Sequence, residues 1–278
     1  MSLISSLDSG ISALNSFNEG LQVIGNNIAN MNTTAFKAAN ASYADSFSDT
    51  LHAASPGSDT AAMQIGTGVQ IAGINTDFTQ GSLLSTGVIT NLAISGNGYF
   101  VVQNPSTSAT FATRDGTFNF ESAGNLINAQ GYQVVDGTGA AISISKCVNA
   151  AGVAMTAANT ASVTIGTDGE VTAYDAAGTA YTGQKIGLLT VTNQSKLMSE
   201  GNNLYDFAAS GATLAANLGT ANTGSLGSVQ SGKIEQSNVD LTTQFGDMIT
   251  AQRSFQTASR VITISDSILN DIVNLKNQ

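Results

Sequence analysis

Residues 238–276 read NVDLTTQFGDMITAQRSFQTASRVITISDSILNDIVNLK, and an apolar residue stands at every seventh position of this stretch. The repeat comprises Leu241, Met248, Phe255, Ile262 and Leu269. No Gly or Pro follows Gly246, so the pattern predicts one helix of about 30 residues, about 45 Å long at about 1.5 Å per residue. Asn238 or Asp240 is expected to cap its N-terminus.

The second seam position of this predicted helix is mixed in character. It holds Phe245, Gln252, Ser259, Asp266 and Val273, and three of these five residues are polar. Polar residues in a helix seam lower stability but fix the register and the number of partners. Further apolar residues, among them Ile264 and Ile268, widen the apolar face. A helix that is apolar on more than one side is expected to have more than one neighbour.

A similar repeat occupies residues 2–30, at the other end of the sequence. Its positions are Leu7, Leu14, Leu21 and Ile28, and Ile4 and Ile11 extend the stripe. Isolated helices are marginal because their nucleation is costly, so we expect this helix to form when partners cover its seam. An ordinary pair of helices within one chain would show the same pattern. The placement of both repeats at the termini favours assembly with other copies.

The region between the two repeats has the pattern of β-structure. From about residue 64 the apolar period is two, and turn pairs such as Asn97-Gly98 and Asp168-Gly169 separate short runs, for example Ala141–Ser145. The predicted fold is therefore α+β, with N- and C-terminal α-helices that form a coiled-coil-like inner domain and an all-β antiparallel central domain. The predicted segments are a helical domain over 1–32 and 236–278, an extended connector over 33–75, the β domain over 76–207 and a connector loop over 208–235.

Composition excludes several classes of protein. Nine basic residues against nineteen acidic ones give a net charge of −10, so nucleic-acid binding is not expected. No apolar run approaches the roughly 20 residues of a membrane span, so membrane insertion is not expected either. The first basic residue is Lys37, so the sequence lacks the basic region that opens a signal peptide. We expect any export to use another route, without a cleaved signal.

Catalytic, cofactor and metal sites are not predicted. The single histidine, His52, is expected in an exposed loop beside a mobile segment at Ala53–Ala62, and Cys147 is expected in the core. Residues Gly227–Lys233 read GSVQSGK, but Ile234 stands where a phosphate loop needs Ser or Thr. The carboxylates are scattered, mostly in turns. We therefore expect a non-enzymatic protein without cofactors, although a carbohydrate hydrolase with an unrecognised acid pair stays open.

The segment Gly25–Lys37, GNNIANMNTTAFK, resembles the N-terminal signature of the bacterial flagellar axial proteins, the rod and hook family. Its signature residues here are Asn26, Asn27, Ile28, Ala29, Asn30, Asn32 and Thr33. Further similar blocks follow in family order: FTQGSL at 78–83, LAISGNGYFVV at 92–102, TRDGTF at 113–118 and the C-terminal signature from Ser237 to Gln256. The family usually has Gly where this chain has Ala35, which suggests that Ala35 needs no positive φ.

This resemblance implies a homo-oligomer, a helical tubular polymer whose inner tube is built from the terminal helices. It implies further partners: other axial proteins (rod, hook cap and hook–filament junction) and the flagellar type III export apparatus. The residues expected to mediate self-assembly are Ile4, Leu7, Ile11, Leu14, Leu21 and Ile28 in the first helix, and Leu241, Phe245, Met248, Gln252, Phe255, Ile262, Leu269 and Val273 in the second.

Two members of the family compete as models for this chain. The tail Ile249–Lys276 and the segment Tyr43–Leu51 favour a compact hook subunit, which transmits torque from rod to filament. The length favours the distal rod protein, a stiff drive shaft. The hook is the preferred prediction, with a location in the flagellar hook or basal body. A secreted β-rich adhesin or surface protein is the alternative from a different class.

Overall fold

The computed structural model describes residues 3–52, 63–149 and 151–276, which divide into two compact units. The helical unit contains Met1–Met31, Lys37–Asp77 and Val239–Gln278. The β unit contains Asn32–Phe36 and Phe78–Asn238. Three α-helices are present in the described ranges: α1 (Leu3–Ala29), α2 (Leu214–Asn217) and α3 (Leu241–Lys276). None of them combines the length and apolarity that crossing a bilayer requires.

The helical unit consists of α1, α3 and a two-stranded ribbon. The ribbon is formed by β1 (Ala39–Asp45), β2 (Ser48–His52), β3 (Met63–Gly66) and β4 (Val69–Thr76). Strand β1 pairs antiparallel with β4, and β2 pairs antiparallel with β3. Helix α1 contacts α3, β1 and β4. The ribbon therefore packs on α1.

Both predicted terminal helices are confirmed, and α3 begins one residue after its cap. The Thr242 N–H donates to Asp240 Oδ1 at 2.9 Å, and the Thr243 hydroxyl donates to Asp240 Oδ2 at 2.9 Å. These bonds satisfy donors that an uncapped helix leaves without partners. The Thr243 and Thr242 bonds also lower the pKa of the Asp240 carboxyl. Of the two predicted caps, Asp240 is the one used.

The β unit contains sixteen strands within the described ranges. They are β5 (Leu83–Ser85), β6 (Leu92–Ser95), β7 (Tyr99–Gln103), β8 (Thr110–Thr113), β9 (Asn119–Phe120), β10 (Leu126–Ile127), β11 (Gln133–Val134), β12 (Thr160–Ile165), β13 (Glu170–Asp175), β14 (Ala180–Lys185), β15 (Gly187–Leu189), β16 (Met198–Gly201), β17 (Leu204–Asp206), β18 (Leu218–Thr220), β19 (Ser228–Ser231) and β20 (Lys233–Glu235). The main sheet has the order β16-β17-β8-β7-β11-β10-β9, and β15 joins it by pairing with both β7 and β18. A separate meander has the order β12-β13-β14, and two further pairs are β19-β6 and β20-β5.

Strand β7 lies at the centre of the β unit and is buried on both faces. Phe100 and Val102 belong to one apolar cluster, whereas Tyr99 and Val101 belong to another. This alternation follows from the two-residue period of a strand. Phe100 packs edge-on against Phe118, with ring centroids 5.3 Å apart. Burial of each such side chain contributes about 1.5–3 kcal/mol, so β7 anchors the fold of this unit.

Three predicted features of the backbone are wrong. The stretch predicted as an extended connector, 33–75, contains the paired strands β1–β4, and the predicted connector loop, 208–235, contains α2, β18, β19 and β20. The run Ala141–Ser145 makes isolated bridges and enters a 3-10 turn at Ile144–Lys146. Strand β1 reads ANASYAD and strand β19 reads SVQS, so these two lack the alternating large side chains that reveal a strand in sequence.

Two further expectations concern the tip of the ribbon. The segment Ala53–Ala62, expected to be mobile, lies outside the described residues. His52, expected in a loop, is the last residue of β2 and pairs with Met63.

Candidate assembly interface

Helix α3 turns one row of side chains towards α1. Gln244, Ala258 and Ser265 are buried, and Ile262 is partly buried. The two helices run antiparallel, because Ser6 pairs with Ser265 near one end and Asn27 pairs with Gln244 near the other. Between these ends Gly10 lies against Ile262 and Ala258, where the missing side chain permits close approach. The seam inside the chain therefore combines small, polar and apolar residues.

A second row of apolar side chains on α3 lies beside the buried row and is largely exposed in the single chain. This outer row consists of Val261, Ile264, Ile268 and Ile272, whose exposed fractions are 43, 59, 41 and 50%. Their spacing of three or four residues places them along one helix face. Phe245 and Ile249, exposed by 48 and 53%, form a shorter pair near the start of the helix. Contiguous exposed apolar side chains of this kind mark an interaction surface.

The residues predicted for self-assembly fall into two groups by exposure. Phe245, Phe255, Val273 and Gln252 are exposed in α3, as is Ile11 in α1. The partly buried group consists of Leu7, Leu14, Leu21, Ile28, Leu241, Met248, Ile262 and Leu269. The side chain of Ile4 is not among those described. The role of both groups in assembly stays a prediction, and the outer row of α3 adds Val261, Ile264, Ile268 and Ile272 to it.

Sequence reasoning missed a row of small polar residues on α1 that binds the ribbon. The Ser9 hydroxyl donates to Thr67 O at 2.9 Å, and the Ser16 hydroxyl donates to Val69 O at 3.2 Å. The Ser12 hydroxyl accepts the Val69 N–H at 3.3 Å. At Gly20 any Cβ would overlap the Tyr43 hydroxyl. The spacing of these residues, three or four apart, was the available signal.

The signature residues are divided between the two units. Asn27 is buried and bonded inside the helical unit, and Asn26, Ile28, Ala29 and Asn30 surround it at the end of α1. Asn30 donates from its side chain to Asn26 Oδ1 at 3.0 Å. Asn32 and Thr33 belong to the β unit, where the following residues are held by backbone bonds. The Asn203 side-chain amide donates to Thr34 O at 2.6 Å.

Ala35 has a left-handed backbone, so the prediction that it needs no positive φ is wrong. Its φ is 57°, it is fully buried, and its N–H donates to Glu235 O at 2.9 Å. The bond and the enclosure fix a conformation that costs a non-glycine residue roughly 1–2 kcal/mol. This chain therefore forms a left-handed backbone turn, which favours Gly, with a methyl group in place.

A buried ion pair connects the similar blocks of the β unit. Arg114 Nη1 lies 3.4 Å from Glu235 Oε2, and both side chains are almost fully buried. Glu235 Oε1 accepts the Gly81 N–H at 3.0 Å, and Arg114 Nη2 donates to Gly96 O at 3.0 Å. The guanidinium carbon lies 5.1 Å from the centroid of the Tyr99 ring, within the range of a cation–π contact. The charge pair thus joins residues from three of the quoted motifs with Glu235, which lies two residues before the C-terminal signature.

The tyrosines beside this pair are held neutral. Burial raises the pKa of Tyr205 to about 12, and Glu235 adds to the effect. Burial also raises the pKa of Tyr99 strongly. Phe78 packs edge-on against both rings, at 5.8 Å from Tyr205 and 6.5 Å from Tyr99. The packed aromatic rings thus hold the side chains around the Arg114–Glu235 pair in one arrangement, which indicates a structural role.

The residues that the sequence offered as candidates for phosphate binding or catalysis lie in positions that support the fold. Residues Ser228–Ser231 form β19 and Lys233 opens β20, so the GSVQSGK segment leads into a strand where a phosphate loop would lead into a helix. Cys147 is buried as predicted, and burial raises the pKa of its thiol. The side-chain hydrogen bond from Lys185 lowers the pKa of Asp168. Within the described ranges, no cluster of His, Cys, Asp and Glu could hold a metal ion.

Three family models match the chain at separate places. The Flagella basal body rod protein model matches residues 7–37, the Flagellar hook protein FlgE/F/G D1 domain model matches 93–173, and the Flagellar basal body rod FlgEFG protein C-terminal model matches 230–275. The first and last matches include parts of α1 and α3, and the middle match includes β7 and the Arg114 motif.

Whole proteins with similar sequences extend these matches. The Flagellar basal-body rod protein FlgG of Bacillus subtilis is 39% identical over 99% of this chain and 100% of its own length. The Flagellar hook protein FlgE of Treponema pallidum is 41% identical over 48% of this chain and 29% of its own length. That of Salmonella typhimurium is 26% identical over 98% of this chain and all of its own length, in an alignment of 418 residues. The chain belongs to the bacterial flagellar rod and hook family of axial proteins.

Proposed function

We propose that this chain is the distal rod subunit of the bacterial flagellum, a structural protein that polymerises into a stiff tube. The observation that carries the proposal is the match to a basal-body rod protein that covers 99% of this chain and 100% of that protein. The Salmonella hook protein aligns over 418 positions, well beyond the 278 residues of this chain. It is thus a longer protein.

The rod therefore replaces the hook as the preferred function. The tail that favoured the hook matches a model described for FlgE, FlgF and FlgG together, so the tail does not separate them. The location that follows from family membership is the flagellar basal body or hook, and the proposal narrows it to the basal body.

In the proposed polymer, neighbouring copies cover the outer row of α3. Four exposed Val and Ile side chains lie along one face of a 36-residue helix, and burying each contributes about 1.5–3 kcal/mol. Those gains repeat for every subunit added. A contact between two different surfaces of the same chain propagates into a helical assembly when its rotation does not close into a ring. Helix pairs from many copies would then form the coiled-coil-like inner wall.

The β unit is the proposed source of stiffness. Its core is apolar on both faces of β7, and the buried Arg114–Glu235 pair joins four segments. The proposed partners are further copies of this chain, the neighbouring axial proteins at each end of the rod, and the type III export apparatus that delivers the subunits.

Assembly of the concentrated full-length protein tests the polymer. Electron microscopy is expected to show tubes for the unaltered chain and none for the Ile264→Asp, Ile268→Asp variant, because two charges would be buried in the seam. The matched control, Thr263→Asp with Asn270→Asp, places two charges on the same helix outside the outer row and is expected to assemble. Tubes from the Ile264→Asp, Ile268→Asp variant would contradict the role of the row.

Labelling of isolated hook–basal bodies separates rod from hook. An antibody-gold label on this chain is expected at or inside the outer ring, along the distal rod. A label only beyond the outer ring would contradict the rod assignment and restore the hook, while the family assignment would stand.

A further inference from the structure

Apart from the close contact of Gly10 with Ile262, the apolar contacts between α1 and α3 do not specify how far one helix lies along the other. The repeat on α3 runs Leu, Met, Phe, Ile and Leu at seven-residue intervals. The row beside it holds Ala251 and Ala258 at the same interval. A slide of α3 by one heptad, about 10 Å at about 1.5 Å per residue, would replace apolar residues by apolar residues and methyl groups by methyl groups. Something else must fix the register.

One buried pair of side-chain amides, Asn27 and Gln244, has the geometry to fix the register of α3 against α1. The Asn27 side-chain amide donates to Gln244 Oε1 at 2.9 Å and to Ala39 O at 2.7 Å, and its Oδ1 accepts the Ala39 N–H at 3.0 Å. Asn27 is fully buried and Gln244 is 6% exposed. Asn27 thus joins α1, the first residue of β1 and α3 in one set of bonds.

The pair cannot follow a slide of the helix. If α3 moved by one heptad towards its own start, Ala251 would stand opposite Asn27, and a methyl group offers no acceptor. Both buried amides would lose their mutual bond, and a buried polar group without a partner is strongly unfavourable. Single polar residues in an apolar seam are known to select one register in this way.

We propose that the Asn27–Gln244 pair sets the register of α3 against α1 and the ribbon, and so fixes the height at which the outer row is presented. Asn27 and Gln244 act as positioning residues: they select one of several apolar alignments and do not supply the main attraction. The inference rests on contacts within one chain and holds whether or not the proposed polymer forms.

Disulfide trapping measures the register in the full-length chain. In a Cys147→Ala background, Ser6→Cys with Ser265→Cys reports the observed register, because the two hydroxyls lie 3.4 Å apart. Ser6→Cys with Ala258→Cys, and Ser6→Cys with Ile272→Cys, report slides of one heptad in either direction. Mild oxidation of dilute protein followed by mass spectrometry gives the intrachain yields.

With the amides in place, the observed-register pair is expected to cross-link at least about tenfold more than either shifted pair. In the Asn27→Leu, Gln244→Leu variant we expect the shifted yields to rise to within about threefold of the observed-register yield. The matched control, Asn15→Leu with Gln252→Leu, alters exposed amides on the same two helices and is expected to leave the yields unchanged.

Shifted cross-links that stay absent in the Asn27→Leu, Gln244→Leu variant would overturn the proposal, as would shifted cross-links that appear equally in the control. If the double variant loses helical circular dichroism, Gln244→Leu alone decides the question, because Asn27 then keeps both bonds to Ala39. A polymer that forms normally from a register-shifted variant would leave the register assignment intact.

Discussion

The helical unit and the β unit achieve order by different means. In the β unit, large side chains such as Phe100 and Phe118 are completely buried, and a charged pair is enclosed with them. In the helical unit, the buried residues of α1 are Gly10, Ser16, Gly20 and Asn27, while the large side chains of α3 are partly or mostly exposed. The β unit thus completes its core within one chain. The helical unit uses small polar contacts to hold its shape and leaves much of its apolar surface exposed.

Matched phenylalanine substitutions give the largest expected contrast between the units. Phe100→Ala removes a fully buried ring from β7 and should lower the free energy of unfolding of the β unit by about 3–5 kcal/mol. Phe245→Ala removes a ring that is 48% exposed and should cost the isolated chain less than about 1 kcal/mol. Chemical denaturation followed by circular dichroism measures both. Equal losses of unfolding free energy for the two variants would contradict the difference in burial between the β unit and the helical unit.

Two ion pairs of the β unit allow the effect of a buried charge on stability to be compared with that of an exposed charge. Glu235→Gln removes the charge that balances the buried Arg114 and should cost about 3 kcal/mol in unfolding free energy. Asp168→Asn breaks an exposed pair with Lys185 and should leave the unfolding midpoint nearly unchanged, because water screens it. A small effect of Glu235→Gln would show that the enclosed pair does not hold the motifs together.

Backbone strain at Ala35 predicts a stabilising substitution. Ala35→Gly should raise the free energy of unfolding by about 0.5–1 kcal/mol, since relief of the left-handed conformation exceeds the entropy lost from the unfolded chain. Ala93→Gly, at a buried strand position, should instead destabilise. Thermal unfolding of the two variants distinguishes these signs, and destabilisation by both would argue against strain at Ala35.

The smallest predicted effect is a pH dependence at Asp136. Burial would raise the pKa of this carboxyl, but hydrogen bonds from Thr138 and Ala140 outweigh it and lower the pKa. Because the folded-state pKa lies below the unfolded one, the contribution to stability is present above about pH 4 and is lost as pH falls through the folded-state value. The stability difference between the unaltered chain and Asp136→Asn should therefore shrink between about pH 4 and pH 2. A difference that is constant over this range would contradict the assignment.

The sequence was most informative where a repeat or a turn pair imposed a local rule. The seven-residue spacing predicted both long helices, and Asp240 was one of two predicted caps. Turn pairs marked the β unit, whose strands are short and antiparallel. The two-residue period from about residue 64 covers β3 and β4. Strands β1, β2 and β18–β20 were missed, because their sequences give little alternation and their pairing is set by distant residues.

The candidate interface was predictable only in part. The heptad pattern selected residues that belong to seams, but it could not tell which seam lies inside the chain. Exposure separates them: Ile262 is turned inwards, and Ile264 is turned outwards. The bonds from Asn27 to Gln244 and Ala39 join residues far apart in sequence, so no local pattern reveals them. The conformation of Ala35 was misjudged for the same reason, since a bond to Glu235 fixes it.

The outer row of α3 is largely exposed in the single chain. We propose that other copies of the chain cover it in the tube. Hydroxyl-radical footprinting of the dilute and the tube-forming protein measures this directly, with the buried Phe100 as an unreactive internal standard. We predict that Val261, Ile264, Ile268 and Ile272 are reactive in the dilute chain and protected in the tube. If the reactivity of these four residues is unchanged on assembly, the proposal that other copies cover the outer row is wrong.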